Sequence, residues 1–173
     1  MTRILYGARI SLLVGIVPSF ISLMIGAIMG IISGYYGGRI DFIIMRLADT
    51  MIAFPSLLLA MVVMYTLGAN LFNIFIALSL VGWAGVARVV RSQTLALKEK
   101  EFIEAARAVG TTRAKIMVRH IFPNIVQTLI VLFSLSTPEA IIWESSLSFL
   151  GVGVQPPEAS WGLLVAKGKE YLF

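Results

Sequence analysis

Few residues in this sequence of 173 are of types that carry chemistry. It has no cysteine and one histidine, His120, which removes disulfides, thiolate zinc sites, Cys nucleophiles and any multi-histidine metal cluster. No Gly-x4-Gly-Lys-Ser/Thr phosphate loop occurs, so the chain is not expected to bind or hydrolyse ATP. Two carboxylates, Glu139 and Glu144, flank the far end of an apolar run. An ionised group at membrane depth costs several kcal/mol unless it is paired or wet, so they either face a polar pathway or sit hydrated at an interface near Trp143. The remaining charge is concentrated between Arg88 and His120, which hold eight of the fourteen Lys and Arg residues. His120, at the rim of that segment, suits orientation of the loop better than a proton relay.

The elements that must position these groups follow from composition. The chain is 58% hydrophobic and 13% charged, against roughly 45–50% and about 25% in soluble domains, so it is an integral membrane protein. Its net charge of +5 is explained by positively charged loops on one side of the membrane, without nucleic acid. Arg3 and Arg9 precede an apolar stretch too long for a cleaved signal, which makes it a retained span. No charge occurs from Ile10 to Gly34, or from Thr50 to Ala87. As one helix the second run would be about 57 Å long against a core of about 30 Å, so it divides in two, with the turn at Gly68-Ala69-Asn70. A fourth span starts after Pro123, whose fixed φ suits a first helical turn. The spans are thus placed at about 10–34, 51–68, 71–88 and 124–144, within one domain over 1–173. Residues 145–173, with Gly151, Gly153, Pro156, Pro157 and Gly162, have the composition of turns and are assigned to an extramembrane loop.

Residues 35–50 and 88–120 hold ten of the fourteen cations, so the positive-inside tendency makes both cytoplasmic and both chain ends external. The long loop 89–120 has internal structure. Over Lys98–Val109 the pattern is helical, with Phe102, Ala105, Ala106 and Val109 on one face and Lys100, Glu101, Glu104 and Arg107 on the other. Lys100/Glu104 and Glu104/Arg107 have ion-pair spacing. Gly110 stops this helix, and Thr111 and Thr112 can cap a second one through Ile116, Met117 and Val118. Such a hairpin either lies solvated or on headgroups, or docks a cytoplasmic partner, for which the small pair Ala105-Ala106 permits close approach.

Glu104-Ala105-Ala106, Gly110 three residues on, and His120-Ile121-Phe122-Pro123 after nine more resemble the EAA loop of the inner-membrane permeases of ATP-binding-cassette importers. That family has Ile and Leu where this chain has His120 and Phe122; His-x-x-Pro-Asn, as in His120–Asn124, is similar to its peptide-transporting branch. Tyr6-Gly7-Ala8-Arg9-Ile10-Ser11-Leu12, Gly34-Tyr35-Tyr36-Gly37-Gly38 and Ser146-Leu147-Ser148-Phe149-Leu150-Gly151-Val152-Gly153-Val154-Gln155-Pro156-Pro157 extend the resemblance to the second permease subunit of dipeptide/oligopeptide importers. It implies an all-α polytopic fold, the type I importer permease, with this chain supplying the second to fifth of six spans. It implies a coupling helix made by Glu104, Ala105, Ala106, Arg107 and Gly110, with Thr111 and Pro123. The implied partners are a second permease subunit, two cytoplasmic ATP-binding subunits holding ATP and Mg, an external solute-binding protein and membrane lipid, in a bacterial or archaeal inner membrane. No cofactor, metal or enzymatic role then belongs to this chain. Facing the pathway, Glu139 and Glu144 would meet a peptide's amino group. Among Pro18, Pro55 and Pro138, which favour kinks, Pro55 beside Ser56 is the best hinge and joins them as a candidate pathway position.

Gly26, Gly30 and Gly34 recur every four residues on one face of the first span, as expected for close helix packing or a face that slides in gating. Arg46 and Asp49 are spaced for a surface pair, and Trp83, Trp143 and Trp161 for interfacial anchors. The alternative class, a secondary transporter or channel driven by an ion gradient, would place ionisable residues at mid-membrane. The first three spans have none there.

Overall fold

The computed structural model describes residues 2–155 and 160–169, and every regular element among them is helical. In order these are α1 (Thr2–Tyr36), α2 (Gly38–Ala53), α3 (Ser56–Leu67), α4 (Leu71–Lys98), α5 (Glu101–Ala108), α6 (Arg113–Ile116), a π-helical turn (Met117–Ile121), α7 (Phe122–Phe149) and α8 (Trp161–Lys169). In lipid a backbone must satisfy its own hydrogen bonds, and a helix does so within one segment. Ile4–Tyr36, Leu71–Lys98 and Arg113–Phe149 are each long and apolar enough to cross a membrane, and α2 with α3 adds a fourth if they form one broken span. Large apolar side chains remain on the surface, among them Leu5, Phe72 and Tyr65, the last 87% exposed. A water-soluble monomer does not carry such a surface.

Several boundaries differ from the hydropathy reading. Helix α1 begins at Thr2 instead of near residue 10, and α4 continues past 88 to Lys98, taking the first part of the expected loop. Helix α7 runs to Phe149 and α8 is regular, so the segment 145–173 is not a loop of turns throughout; Pro156 and Pro157 lie outside the described residues. Charge marks where lipid ends, whereas backbone chemistry marks where a helix ends. Gly37, Gly68 and Gly151 end α1, α3 and α7 with φ of 67°, 90° and 82°, values that L side chains rarely adopt. The expected span 51–68 is interrupted. Pro55 lacks an N–H and pushes Phe54 out of the helical region, so α2 stops at Ala53 and α3 restarts at Ser56. With 12 residues, α3 is about 18 Å long, too short to cross the hydrocarbon alone.

The α3–α4 hairpin turns at Gly68-Ala69-Asn70. The Asn70 side-chain oxygen accepts the Asn73 N–H at 2.9 Å, and Asn73 Nδ2 donates to the Leu67 and Gly68 carbonyls at 2.7 and 2.8 Å. Asn73, which periodicity does not single out, therefore satisfies the last carbonyls of α3.

The chain forms two compact units, one of residues 1–22, 54–82 and 133–173, the other of 23–53 and 83–132. The first packs Val14, Met64, Ile74, Leu78 and Leu147 in its core. There Ser22 Oγ donates to the Ser79 carbonyl at 3.1 Å, and Ser79 Oγ to the Pro18 carbonyl at 3.5 Å. The second buries Ala48, Trp83, Ala84 and Ala87 against Met29, Met45 and Met51. Trp83 is thus a core residue of its unit, not an interfacial anchor. Also in the second unit, α1 meets α4 at backbone distance. A Cβ on Gly26 would stand 2.6 Å from Val86 Cβ, one on Gly30 2.6 Å from the Ala87 carbonyl oxygen, and one on Gly34 2.7 Å from Thr94 Cβ.

These neighbours are backbone or β-carbons and cannot swing aside. Gly30→Ala is expected to cost about 1–3 kcal/mol, the usual range for overpacking. Gly85→Ala, where a Cβ meets nothing within 4 Å, is expected to be neutral or mildly stabilising. Thermal unfolding of the purified protein in detergent measures both; equal stability of the two variants would contradict the contact.

Candidate functional site

The charged segment after α4 folds as two short helices about a glycine turn. Helix α5 ends in a Schellman motif: the Gly110 N–H donates to the Arg107 carbonyl at 2.9 Å and the Thr111 N–H to the Ala106 carbonyl at 3.1 Å, with Gly110 at φ 78°. Thr112 stands at the N-cap of α6 in extended conformation, but its hydroxyl makes no capping bond. The π-helical turn that follows is explained by Pro123. Its ring cannot donate to the preceding turn and crowds the carbonyl four residues back, and a wider i to i+5 turn relieves this; the Phe122 N–H reaches the Met117 carbonyl. Asn124 Nδ2 donates to the His120 carbonyl at 2.6 Å. His120–Asn124 thereby joins α6 to α7 as one continuous helical run, Arg113–Phe149.

The faces of α5 differ from the expected division. Ile103 and Ala106, together with Ile116 of α6, are buried, while Phe102, Ala105 and Val109 point out, Val109 at 81% exposure. Glu104 is exposed and forms neither expected ion pair. Arg107 instead lies over the Tyr35 ring, its Cζ 5.6 Å from the centroid, and its Nη2 donates to the Lys98 carbonyl at 3.4 Å. Thr111 is half-buried, and Pro123 is the second residue of α7.

Long-range polar pairs hold the second unit around this segment. Arg91 grips Asp41 with two hydrogen bonds of 2.5 Å, and Ser33 Oγ donates to the same carboxylate, tying α4, α2 and α1 together. Asp49 pairs with Arg88 at 2.7 Å, not with Arg46, whose guanidinium lies over Phe42. That pair is exposed and worth at most about 1 kcal/mol.

The two candidate pathway carboxylates separate. Glu139 is exposed, whereas Glu144, five positions on and about 140° around the helix, is 0% exposed. Because α7 extends beyond it, Glu144 lies within the helix and not at a hydrated end. Its Oε1 accepts hydroxyls from Ser148 at 2.6 Å and Ser160 at 2.7 Å, and Gly162 leaves room beside Oε2. Ser160 Oγ also accepts the Leu163 N–H, while Ser11 Oγ accepts the Trp161 N–H and Trp161 Nε1 donates to the Ile4 carbonyl. Glu144 thus pins α8 to α7 and, through these bonds, to α1 of the first unit. Pro55 and Ser56 sit at the α2–α3 break, Pro55 exposed and Ser56 half-buried.

With this geometry in view, the sequence matches the binding-protein-dependent transport system inner membrane component family over residues 22–172. The chain belongs to this family. It is 47% identical over 168 residues to the oligopeptide transport system permease protein OppC of Haemophilus influenzae, covering 97% of this chain and 54% of that protein. It is 43% identical over 167 residues to the dipeptide transport system permease protein DppC of Bacillus subtilis, 96% of this chain and 52% of that one. Against the glutathione transport system permease protein GsiD of Pectobacterium atrosepticum it is 42% identical over 168 residues, 97% and 56%. The chain spans about half the length of these relatives. It is a multi-pass membrane protein of an inner-membrane transport family.

Spacing alone did not reveal Ser148, Ser160 and Ser11 around Glu144, or Ser33 and Asp41 around Arg91, although most of them fall in or beside the runs that carry the family resemblance. Glu144→Ala would leave two buried hydroxyls without an acceptor, at about 1–3 kcal/mol each. Hydrogen exchange should then become faster across α8 and stay unchanged in α5. Glu144→Gln keeps a side-chain oxygen and is expected to be milder. Unaltered exchange of α8 in Glu144→Ala would dismiss the pin.

Proposed function

We propose that this chain is the membrane-embedded part of a permease subunit in an ATP-driven importer of peptides, coupled to a cytoplasmic ATPase through α5. The observation that carries the reading is the exposed stripe Phe102, Ala105 and Val109 beside Glu104, on a helix seated from behind by Ile103 and Ala106 and closed by Gly110. An apolar stripe with small residues suits insertion into a groove, and the names of the three relatives above, an oligopeptide, a dipeptide and a glutathione permease protein, support the cargo class. In this reading residues 35–50 and 88–120 are cytoplasmic, the pathway is completed by a second permease subunit, and a binding protein delivers cargo from outside. ATP and Mg are bound by the two ATPase subunits.

Motion would reach the pathway through rigid parts. Closure of the ATPase dimer displaces α5, the tight turn at Gly110 passes the displacement to α6, and the helical run Arg113–Phe149 carries it into the membrane. The Arg91–Asp41–Ser33 clamp keeps α1, α2 and α4 moving as one body in their unit. The ion-gradient alternative is not favoured, because the family match and the relatives' names are those of binding-protein-dependent and peptide permeases; α3 and the central stretches of α1 and α4 also lack Asp, Glu, Lys, Arg and His, with Glu144 of α7 held by serines.

In the full-length permease coexpressed with its partner permease, Ala105→Asp and Val109→Asp are expected to lower membrane retention of the ATPase subunits by about tenfold or more, because each buries an unpaired charge in the interface. Both sites are exposed, so insertion and folding should be unaffected. Normal retention in both variants would reject the coupling role. Glu139, the exposed carboxylate of α7, is the candidate for meeting a peptide's amino group. Glu139→Gln should change the order in which a set of peptides is transported without altering assembly, and an unchanged order would remove Glu139 from the pathway.

A further inference from the structure

In the second unit Arg88 and Arg91 meet the carboxylates of Asp49 and Asp41. Arg107 and Arg113 have no carboxylate within ion-pair distance among the described residues. Each lies over a ring: Arg107 Cζ is 5.6 Å from the Tyr35 centroid and Arg113 Cζ 5.8 Å from that of Tyr36. The two rings belong to adjacent residues at the end of α1 and meet edge to face, centroids 5.8 Å apart. Together with Thr111 and Ile116 these four side chains line a cleft of about 390 Å³.

A guanidinium held over a tyrosine ring keeps N–H donors for an acceptor: Arg107 spends one, from Nη2, on the Lys98 carbonyl at 3.4 Å and has its others left, while Arg113 lies over Tyr36. Two guanidinium groups in one cleft, with no acidic residue lining it, suit an anion. The guanidinium fork matches phosphate oxygens in a bidentate manner, and the volume lies within the roughly 300–1,000 Å³ of small-ligand sites. Location narrows the source. The charge-free run of α1 ends at Gly34, which puts Tyr35 and Tyr36 at the edge of the hydrocarbon, where tyrosines gather and basic clefts take anionic headgroups.

We infer that this cleft binds a phosphate group through Arg107 and Arg113, with Thr111 beside it, the phosphate being supplied by an anionic phospholipid headgroup or by free phosphate. The site is lined by the permease alone, but Arg107 and Thr111 also belong to the segment read above as coupling, so phosphate binding is measured without the ATPase.

The permease pair, purified without ATPase subunits, is titrated with short-chain phosphatidylglycerol, with phosphatidylcholine and with inorganic phosphate, and thermal unfolding is followed. Phosphatidylglycerol should raise the melting temperature and phosphatidylcholine should not. The half-maximal concentration should rise about fivefold in Arg113→Gln and further when Arg107→Gln is added. Arg113→Lys, which keeps the charge without the fork, should fall between, and an unchanged melting temperature of each variant without lipid shows that it is folded. Inorganic phosphate competing with the lipid at millimolar concentration would assign the site to free phosphate; no competition assigns it to lipid. Absence of any effect of lipid and phosphate, or identical titrations in wild type and the double variant, overturns the site. So does loss of ATPase retention as the sole effect of the substitutions, which would give the cleft to a carboxylate of the partner.

Discussion

Helices in lipid gain little from hiding apolar side chains from one another, because the surrounding tails are equally apolar. What remains is contact, and contact improves as backbones approach. The run Gly26, Gly30, Gly34 lets α1 lie on α4 so closely that a single methyl group would collide with a carbonyl or a β-carbon. The rest of the second unit is built on this approach. Gly34 sits against Thr94 and the Arg91 carbonyl, which sets Arg91 at the height where Asp41 reaches it and places Tyr35 and Tyr36 one step further along the same helix. The arginines of α5 and α6 find those rings only because the glycines have already settled the register.

Polar groups then do what apolar ones cannot in this solvent. A buried hydroxyl or carboxylate oxygen without a partner is costly in hydrocarbon, so a cluster that pairs them has few competing arrangements; Glu144 pairs Oε1, while its buried Oε2 has no hydrogen-bond partner among the described residues. The first unit uses Glu144 with Ser148 and Ser160, with Ser11 holding Trp161 nearby, and the second uses Asp41 with Arg91 and Ser33. Each cluster joins elements far apart in the chain: the first sets one carboxylate among serine hydroxyls, the second sets an arginine–aspartate pair beside one serine. The two differ in exposure: Glu144 is enclosed, while Asp41 and Arg91 keep part of their surface.

The helical class, the turn at Gly68–Asn70 and the stop at Gly110 were legible in the sequence because each depends on neighbours a few residues away. The face of α5 was not. Phe102 and Ile103 are adjacent and about 100° apart on the helix, and only the tertiary seat decides which goes inward. Asp49 had a well-spaced partner in Arg46 yet pairs with Arg88, thirty-nine residues on, because spacing along a helix proposes pairs and packing between helices disposes of them. Glu144 looked hydrated since hydropathy ended the span too early; its serines were visible in the sequence, but their convergence needs α8, which composition disguises as a loop. The family resemblance reached the coupling segment through local identity and was silent about the cleft beside it, whose tyrosines and arginines come from distant segments.

The π-helical turn at Met117–Ile121 has a consequence for the evolution of this chain. A π turn holds one more residue than the α-helical path it replaces, so it is a stored insertion. Straightening it into an α-helix with every residue kept would rotate each side chain of α7 by about 100° relative to α6, whereas deleting the extra residue at the same time would leave α7 facing as before. Pro123 guards against that slip, because its ring makes the ordinary helical path clash. A one-residue deletion in this joint is therefore expected among functional descendants only together with loss of Pro123, whose ring keeps the wider turn in place. The joint acts as a phase marker for the longest helical run in the molecule.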